Sequence, residues 1–303
     1  MDTRSDFTRV YGANIVSIAN SFEAPFNVDI LSVWKNTIIG YGLRTKRLMQ
    51  MDTSGHVLKQ FDFSTRDNFG LHSMSYDSNY LYCVDINDHN VYRTDLVDGL
   101  ELADSLPHNI MGCVKNPWTG YTVLQFGVAS KSAVLKSLHD GQEDTVYSFA
   151  PFDDWGISHR GMLFQNAGAT HMLYLPSYNA HALIYEYATR KLVPVTTIDN
   201  NPVVDRSVES PHGKILSSKA PIINRVGAAN NNHLFVLSYA RSAADKAIGE
   251  PVVDVYSLHD RKYKNSFIIP GIRGMRISGL TCLGNRLVVS LDHKITILDV
   301  NIF

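Results

Sequence analysis

The sequence predicts an all-β fold, a six-bladed β-propeller with four-stranded antiparallel blades. Short runs of alternating apolar residues, such as 81–84 and 234–237, are bounded by Gly, Asn, Asp and Pro, and long helical patterns are nearly absent. Two kinds of turn also recur along the chain, which is typical of a repeat architecture.

The first recurring turn joins two strands through Asp and Gly. Its clearest copies end at Gly55, Gly99 and Gly141, which are 44 and 42 residues apart. Asp suits such a turn because its carboxylate accepts bonds from nearby backbone N–H groups, and Gly accepts a positive φ. Weaker copies occupy residues 187–190 and 258–261.

A second, Asn-rich turn lies upstream of each copy of the first. Its six copies occupy residues 34–36, 77–79, 116–120, 166–170, 230–232 and 283–285. Each separates an inner apolar strand from a strand rich in Leu, Val, Ile or Tyr. Six four-stranded units without helices between them predict six propeller blades.

One domain of 303 residues therefore divides into six blades, at residues 25–63, 69–107, 110–149, 160–198, 222–270 and 276–303. The last unit has room for only three strands. The segment 13–19 is strand-like and otherwise unassigned, so we expect it to pair with the last blade. That pairing closes the ring and hides two sheet edges.

Composition excludes several classes of protein. Hydrophobic residues form 45% of the chain, which is enough for a sizeable core, and this excludes disordered, collagen-like and coiled-coil chains. Charged residues form 19% and the net charge is −1, so no basic surplus predicts binding to nucleic acid.

Three cysteines, Cys83, Cys113 and Cys282, are an odd number in apolar runs, so we expect buried free thiols rather than a disulfide framework. No run reaches 18 apolar residues, so no transmembrane segment is predicted. The N-terminus has no apolar signal core, which leaves two compartments open: a cytosolic location, or export after removal of a signal.

In a propeller, one face carries the loops that lead into the innermost strands, here called axial loops, and the loops between second and third strands. We call this the loop-rich face, and the face with the two turn series the turn face. The predicted axial loops are residues 21–29, 64–73, 105–112, 152–162, 199–226 and 270–278. The fifth is the longest and, with loop 239–251, is expected to overhang the loop-rich face as a wall or lid.

Histidines are frequent in the predicted face loops. Those in successive axial loops are His72, His108, His159 and His212. They are candidates for a metal site or proton relay, or they are loop histidines bonded to backbone and water. No close ligand pair such as His-x-His occurs, so we predict no metal and no cofactor.

The axial loop 153–160 has the richest chemistry. It contains Asp153, Asp154, Trp155, His159 and Arg160. An indole offers stacking area, carboxylates accept from hydroxyl groups, and a guanidinium binds carboxylate or phosphate. The loop is therefore a candidate ligand site; the alternative is a solvated loop whose Trp packs between blades.

Arginines flank the starts of several inner strands. They are Arg66, Arg160, Arg225, Arg273 and Arg276. Guanidinium groups around the axis favour an anionic ligand, whereas structural Arg–Asp pairs are the alternative. The predicted ligand site therefore combines the loop 153–160 residues with His72, His108, Arg225 and Arg276.

The later strands carry a family resemblance. Residues 253–258 (VDVYSL) and 263–270 (YKNSFIIP), with the hairpin 81–96, resemble the TolB-like six-bladed propellers, which are largely uncharacterised bacterial proteins. The resemblance implies a cell-envelope location and brings no agreed catalytic residues.

Three functions remain open. No nucleophile elbow, zinc-protease helix, dinucleotide turn or P-loop occurs, which favours a non-catalytic propeller that binds a small polar or anionic ligand or a protein partner. The alternative is a metal-dependent hydrolase or lyase of the six-bladed lactonase kind, whose motif the residues Glu23-Ala24-Pro25 resemble. A third is an envelope partner protein that uses the long loops of blade 5.

Overall fold

In a computed structural model, the chain forms a ring of six four-stranded antiparallel sheets. The structure describes residues 7–12, 15–66, 68–117, 120–127, 132–139, 141–152, 154, 156–211, 213–240, 250–272 and 275–302. The prediction of a six-bladed propeller is confirmed.

Each of the first five blades is built from four consecutive strands. Blade 1 holds β2 (Ile30–Trp34), β3 (Thr37–Gly42), β4 (Arg47–Met51) and β5 (Val57–Asp62); blade 2 holds β6 (Leu71–Tyr76), β7 (Leu81–Asp85), β8 (Asn90–Thr94) and β9 (Glu101–Ser105); blade 3 holds β10 (Ile110–Lys115), β11 (Tyr121–Gly127), β12 (Ser132–His139) and β13 (Gln142–Ser148). Blade 4 holds β14 (Gly161–Gln165), β15 (His171–Pro176), β16 (His181–Glu186) and β17 (Lys191–Thr196), and blade 5 holds β20 (Asn224–Ala229), β21 (His233–Ser238), β22 (Val252–Ser257) and β23 (Tyr263–Ile268).

The sixth blade closes the ring. It combines β24 (Ile277–Leu283), β25 (Arg286–Leu291) and β26 (Lys294–Val300) with the N-terminal β1 (Val16–Glu23). β1 pairs antiparallel with β26 from Val16 opposite Val300 to Glu23 opposite Lys294. The predicted closure is confirmed, although the strand begins at Val16 and runs further than expected; residues 13 and 14 of the predicted segment lie outside the described residues.

The chain before β1 adds a second closure. Tyr11 forms a parallel bridge to Ser266 of β23, and the Ser266 N–H donates to the Val10 carbonyl at 2.8 Å. The guanidinium of Arg9 donates to both carboxylate oxygens of Asp254, at 2.7 and 2.9 Å, and both side chains are almost fully buried. We call residues 9–12 the strap; it ties the outer edge of blade 5 to the strand that closes blade 6.

The core lies between blades. Alternate residues of each strand face opposite neighbours, so Ile38 packs toward blade 6 and Ile39 toward blade 2. Among the described residues, every interface between adjacent blades holds one apolar cluster. Burial on both sheet faces explains the nearly continuous apolar runs of the second strands.

Asn and Asp recur in the second turn series because their side chains satisfy the turn. Asn166 Oδ1 accepts from the N–H groups of Thr170 and His171, at 2.8 and 2.9 Å. Asp77 and Asn230 accept two backbone N–H bonds in the same way. Each side chain replaces a backbone partner that a tight turn cannot supply.

Two short elements lie outside the blades. A 3₁₀ turn, Ile157–His159, precedes blade 4. A hairpin of β18 (Ser207–Ser210) and β19 (Gly213–Leu216) forms its own two-stranded sheet between blades 4 and 5. The sequence shows no clear strand pattern in this stretch, which is predicted as the axial loop 199–226, so the hairpin inside that loop is not predicted. The strands escape notice because each has only four residues.

Candidate functional site

The axis of the propeller holds a cavity of about 300 Å³. Its walls come from the innermost strands β2, β6, β14, β20 and β24, and most of the side chains along it are apolar. Residues 110–115 of β10 are not among the lining residues, because β6 and β14 contact each other in front of that strand. Five of the six inner strands therefore enclose the cavity, which we call the channel.

A hydrogen-bonded bridge closes the channel toward the turn face. The Gln165 amide donates to the Tyr76 carbonyl at 2.8 Å and accepts from the Tyr76 N–H at 3.2 Å. The Tyr76 hydroxyl donates to the Ala167 carbonyl at 3.1 Å. Tyr76 and Ala167 also line a separate groove on the turn face, so they form the floor between the two spaces.

Two arginines stand at the open end of the channel. Arg160 directly precedes β14, and Arg225 lies in β20 directly before Val226; Gly161 and Val226 line the channel. Within the described residues, neither guanidinium makes a hydrogen bond or an ion pair. Among the described residues, neither arginine therefore forms the structural Arg–Asp pair that is the alternative.

Tyr178 lies beside both cations. Its side chain is buried, and burial raises the pKa of its hydroxyl, while the nearby charges of Arg160 and Arg225 oppose that rise. Backbone bonds bring the two arginines together: the Ser177 N–H donates to the Arg160 carbonyl at 2.8 Å, and the Ser177 carbonyl accepts from the N–H of Asn224, the neighbour of Arg225, at 3.4 Å. Both arginines therefore lie on the same sector of the rim, where blades 4 and 5 meet. We call Arg160, Arg225 and Tyr178 the cationic rim.

Among the described residues, three other ionisable side chains lie at the mouth of the channel. Arg276 is exposed directly before β24 and has no ion-pair partner among the described residues. Asp29 lines the channel on the blade 1 side and accepts from the Leu43 N–H at 2.8 Å. His72 also lines the channel; a solvent molecule can reach its imidazole, but surrounding protein lowers its pKa, so the ring is neutral near pH 7.

The axial loop of blade 4 has a structural interior. The buried carboxylate of Asp154 accepts from the N–H groups of Gly156 and Ser158, each at 2.8 Å, which fixes the 3₁₀ turn. His159 is buried, its ring stacks on Phe152, and its Nε2 lies 2.8 Å from the Ala150 carbonyl. Of the predicted ligand residues of this loop, only Arg160 is exposed at the mouth; Asp153 and Trp155 lie outside the described residues.

The remaining candidates are dispersed. His108 is exposed and meets His89 edge to face at 4.7 Å, away from the channel lining. Arg66 stacks over the ring of Tyr92 at 4.9 Å rather than facing the axis. His212 and Arg273 lie outside the described residues. His72, His108 and His159, the axial-loop histidines among the described residues, therefore do not form a cluster.

The β18–β19 hairpin rests on the axial loop of blade 4. The Arg206 N–H donates to the Ser158 hydroxyl at 2.5 Å, and the Arg206 guanidinium donates to the Tyr178 carbonyl at 3.3 Å. Arg206, which directly precedes the hairpin, thus holds the backbone at Tyr178 in place. Residues 241–249 of the second long loop lie outside the described residues, so its expected overhang stays a prediction.

Glu23 does not fit the lactonase-like motif. It ends β1, the outermost strand of blade 6, so two strands separate it from β24 and the channel. Glu23 precedes the first inner strand, β2, in the chain as predicted, but it lies in a strand of the closing blade and not in an axial loop. Within the described ranges, no group of three or more His, Cys, Asp or Glu side chains could hold a metal ion.

Burial explains the cysteines. Cys83, Cys113 and Cys282 are free and buried, as predicted, and burial raises the pKa of each thiol.

Among the described residues, no helix is long and apolar enough to span a bilayer.

Comparison with solved structures shows the fold alone, because all identities are low. A Bacteroides fragilis protein described as exported has a TM-score of 0.62 at 12% identity, with 98% of each chain covered. Virginiamycin B lyase from Staphylococcus aureus has a TM-score of 0.58 at 9% identity, over 94% of this chain and all of the other. A chain from a nidogen–laminin complex has a TM-score of 0.53 at 11% identity, over 85% of each.

No sequence family profile matches the chain, and no curated protein matches its sequence. The fold is therefore shared with a lyase and with a protein found in a protein complex.

Proposed function

We propose that this chain is a binding propeller that takes a small anionic ligand at the mouth of the channel, on the loop-rich face. One observation carries the proposal: Arg160 and Arg225 lie on the same sector of the rim, joined through backbone bonds of Ser177, without an ion pair among the described residues. Two neighbouring guanidinium groups repel each other, and a carboxylate or phosphate relieves that repulsion.

The geometry around the arginines supports a small ligand. Each arginine extends from or directly precedes an inner strand, so the backbone beneath it is fixed by a sheet. Guanidinium groups bind carboxylate and phosphate oxygens through two parallel hydrogen bonds. The buried Tyr178 lies between the strands as a further polar group.

The direct test is anion binding measured by calorimetry and thermal unfolding, with acetate, citrate and inorganic phosphate as probes. An anion at about 100 times its Kd stabilises the protein by about 2.7 kcal/mol. We expect Arg160→Gln and Arg225→Gln to weaken this stabilisation strongly. Arg286→Gln is the matched control, since that exposed arginine pairs with Asp299 on the turn side of blade 6.

Three outcomes are informative. Loss of anion binding in the two rim variants and retention in Arg286→Gln supports the proposal. Equal binding in all three variants moves the anion to another site and overturns it. Absence of any anion binding to the parent protein also overturns the proposal, and binding of a protein partner is then the hypothesis to test.

We infer, in addition, membership of the TolB-like propellers and a cell-envelope location. The strand pattern of residues 253–270 supports the first, and structural similarity to the exported Bacteroides fragilis protein supports the second. Fractionation of the native host, followed by immunodetection, tests the location; recovery with cytosolic markers contradicts it.

A further inference from the structure

We propose that the anion is the head of an amphiphile, a carboxylate that carries an unbranched aliphatic tail, with the tail in the channel. This inference rests on the proposed function, because the cationic rim supplies the contact for the head. It adds the class of ligand, which the rim alone does not specify.

The channel walls suit hydrocarbon. Met74, Met162, Phe164 and Leu280 are among the lining residues. Methionine side chains are flexible and adapt to a chain of varying shape. Ionisable groups gather near the mouth, where Asp29 and the neutral His72 lie. Of the polar side chains in the lining, those of Ser73, Gln165 and Ser278 already bond to protein groups.

The charges at the mouth favour an acid over an amine. Among the described residues at the mouth, Arg160, Arg225 and Arg276 are cationic and Asp29 is acidic. Asp29 already accepts a backbone N–H from Leu43. An ammonium head would therefore meet a net positive rim, and a carboxylate meets an attractive one.

Channel size sets the tail length. From Gly161 to Gln165, β14 advances about 13 Å at about 3.3 Å per residue. The volume of about 300 Å³ holds about ten groups of water size at about 30 Å³ each. Because the Tyr76–Gln165 bridge closes the base, a tail can extend no further, and we expect an optimum near ten carbons.

The experiment is calorimetry on the full chain with acetate, hexanoate and decanoate below their micelle concentrations, beside hexanol and decylammonium. We expect the Kd to tighten by about fourfold per added methylene, the effect of burying one CH₂, until the channel is full. Neither hexanol nor decylammonium should match the carboxylate of equal length.

A channel variant separates tail from head. Thr281→Phe narrows the channel from β24, below the mouth, and the Thr281 hydroxyl makes no hydrogen bond with a described residue, so its replacement removes none. It should abolish the gain from tail length and leave acetate binding unchanged. Thr281→Leu, a smaller obstruction on β24, serves if the first variant misfolds.

The outcomes distinguish the two proposals. If acetate and decanoate bind equally well, the tail inference is overturned and the anion site stands. If hexanol binds as tightly as hexanoate, the head assignment is overturned. If no carboxylate binds at any length, both the inference and the proposed function fail.

Discussion

Arg9→Ala should be among the most damaging single substitutions in this protein. The Arg9 guanidinium makes two bonds to the Asp254 carboxylate and further bonds to the Ser238 hydroxyl and the Ala240 carbonyl, at 2.9 and 3.1 Å. The side chains of the pair are 0% and 2% exposed. Removal of one partner leaves a buried, uncompensated charge, which costs about 3–5 kcal/mol.

That loss is a large fraction of the roughly 5–15 kcal/mol that stabilises a typical domain. The assay is urea unfolding of the parent, Arg9→Ala and the control Arg286→Ala. The control breaks the Arg286–Asp299 pair, whose side chains are 49% and 42% exposed, so it should cost about 1 kcal/mol or less. Addition of Asp254→Leu to Arg9→Ala should recover much of the stability, because no buried charge then remains.

The pH dependence gives an independent check. Burial raises the pKa of the Asp254 carboxyl, and Arg9 opposes that rise. Without Arg9, the folded state binds a proton more tightly than the unfolded state, so the deficit of Arg9→Ala should shrink as the pH falls. A loss no larger than that of Arg286→Ala, or a deficit that grows toward acid pH, would refute this reasoning.

Three further predictions concern burial and turns. In the turn before β5, Gly55→Ala should lower the thermal unfolding temperature by more than Gly99→Ala does. Both glycines have φ near +95°, so both substitutions strain the backbone. A Cβ at Gly55 would also lie 2.5 Å from the Phe22 ring, whereas a Cβ at Gly99 would have no heavy atom within 4 Å. Equal losses would argue against the clash. Burial lowers the pKa of His159, so its neutral ring contributes stability that is lost as the pH falls below about 6.5. The urea midpoint should therefore fall less between about pH 7.5 and pH 5.5 in His159→Gln than in the parent, and an identical fall would contradict this. The three thiols should react with a disulfide reagent only after unfolding, and rapid reaction of the native protein would contradict their burial.

The sequence predicts the blades well because their signals are local. Asp77 and Asn166 accept backbone bonds from residues two to five positions away, so the turn chemistry is visible in a short window. Apolar alternation likewise reports the faces of one strand. The number of blades and the closing strand follow from these local signals and from the need to cover sheet edges.

The strap and the channel depend on contacts that no short window contains. Arg9 and Asp254 are 245 positions apart, and Gln165 lies 89 positions from Tyr76. Their position at the starts of inner strands identifies Arg160 and Arg225 as axial candidates, but it cannot show that they have no acidic partner among the described residues. The burial of His159 is equally hard to predict, because a loop histidine is expected to be exposed, and its stacking on Phe152 depends on the folded loop.

The N-terminal closure imposes an order on biosynthesis. Residues 9–23 leave the ribosome long before β23 and β26, the strands that complete them, exist. At about 5–20 residues per second, the roughly 270 residues between these partners take about 15–55 s to make. During that time, β1 has no strand to pair with, and the Arg9 guanidinium has no Asp254 carboxylate to bind, because both partners have not yet been synthesised. Closure of the ring therefore waits for the synthesis of β23 and β26, and until then the strap and β1 are without their sheet partners.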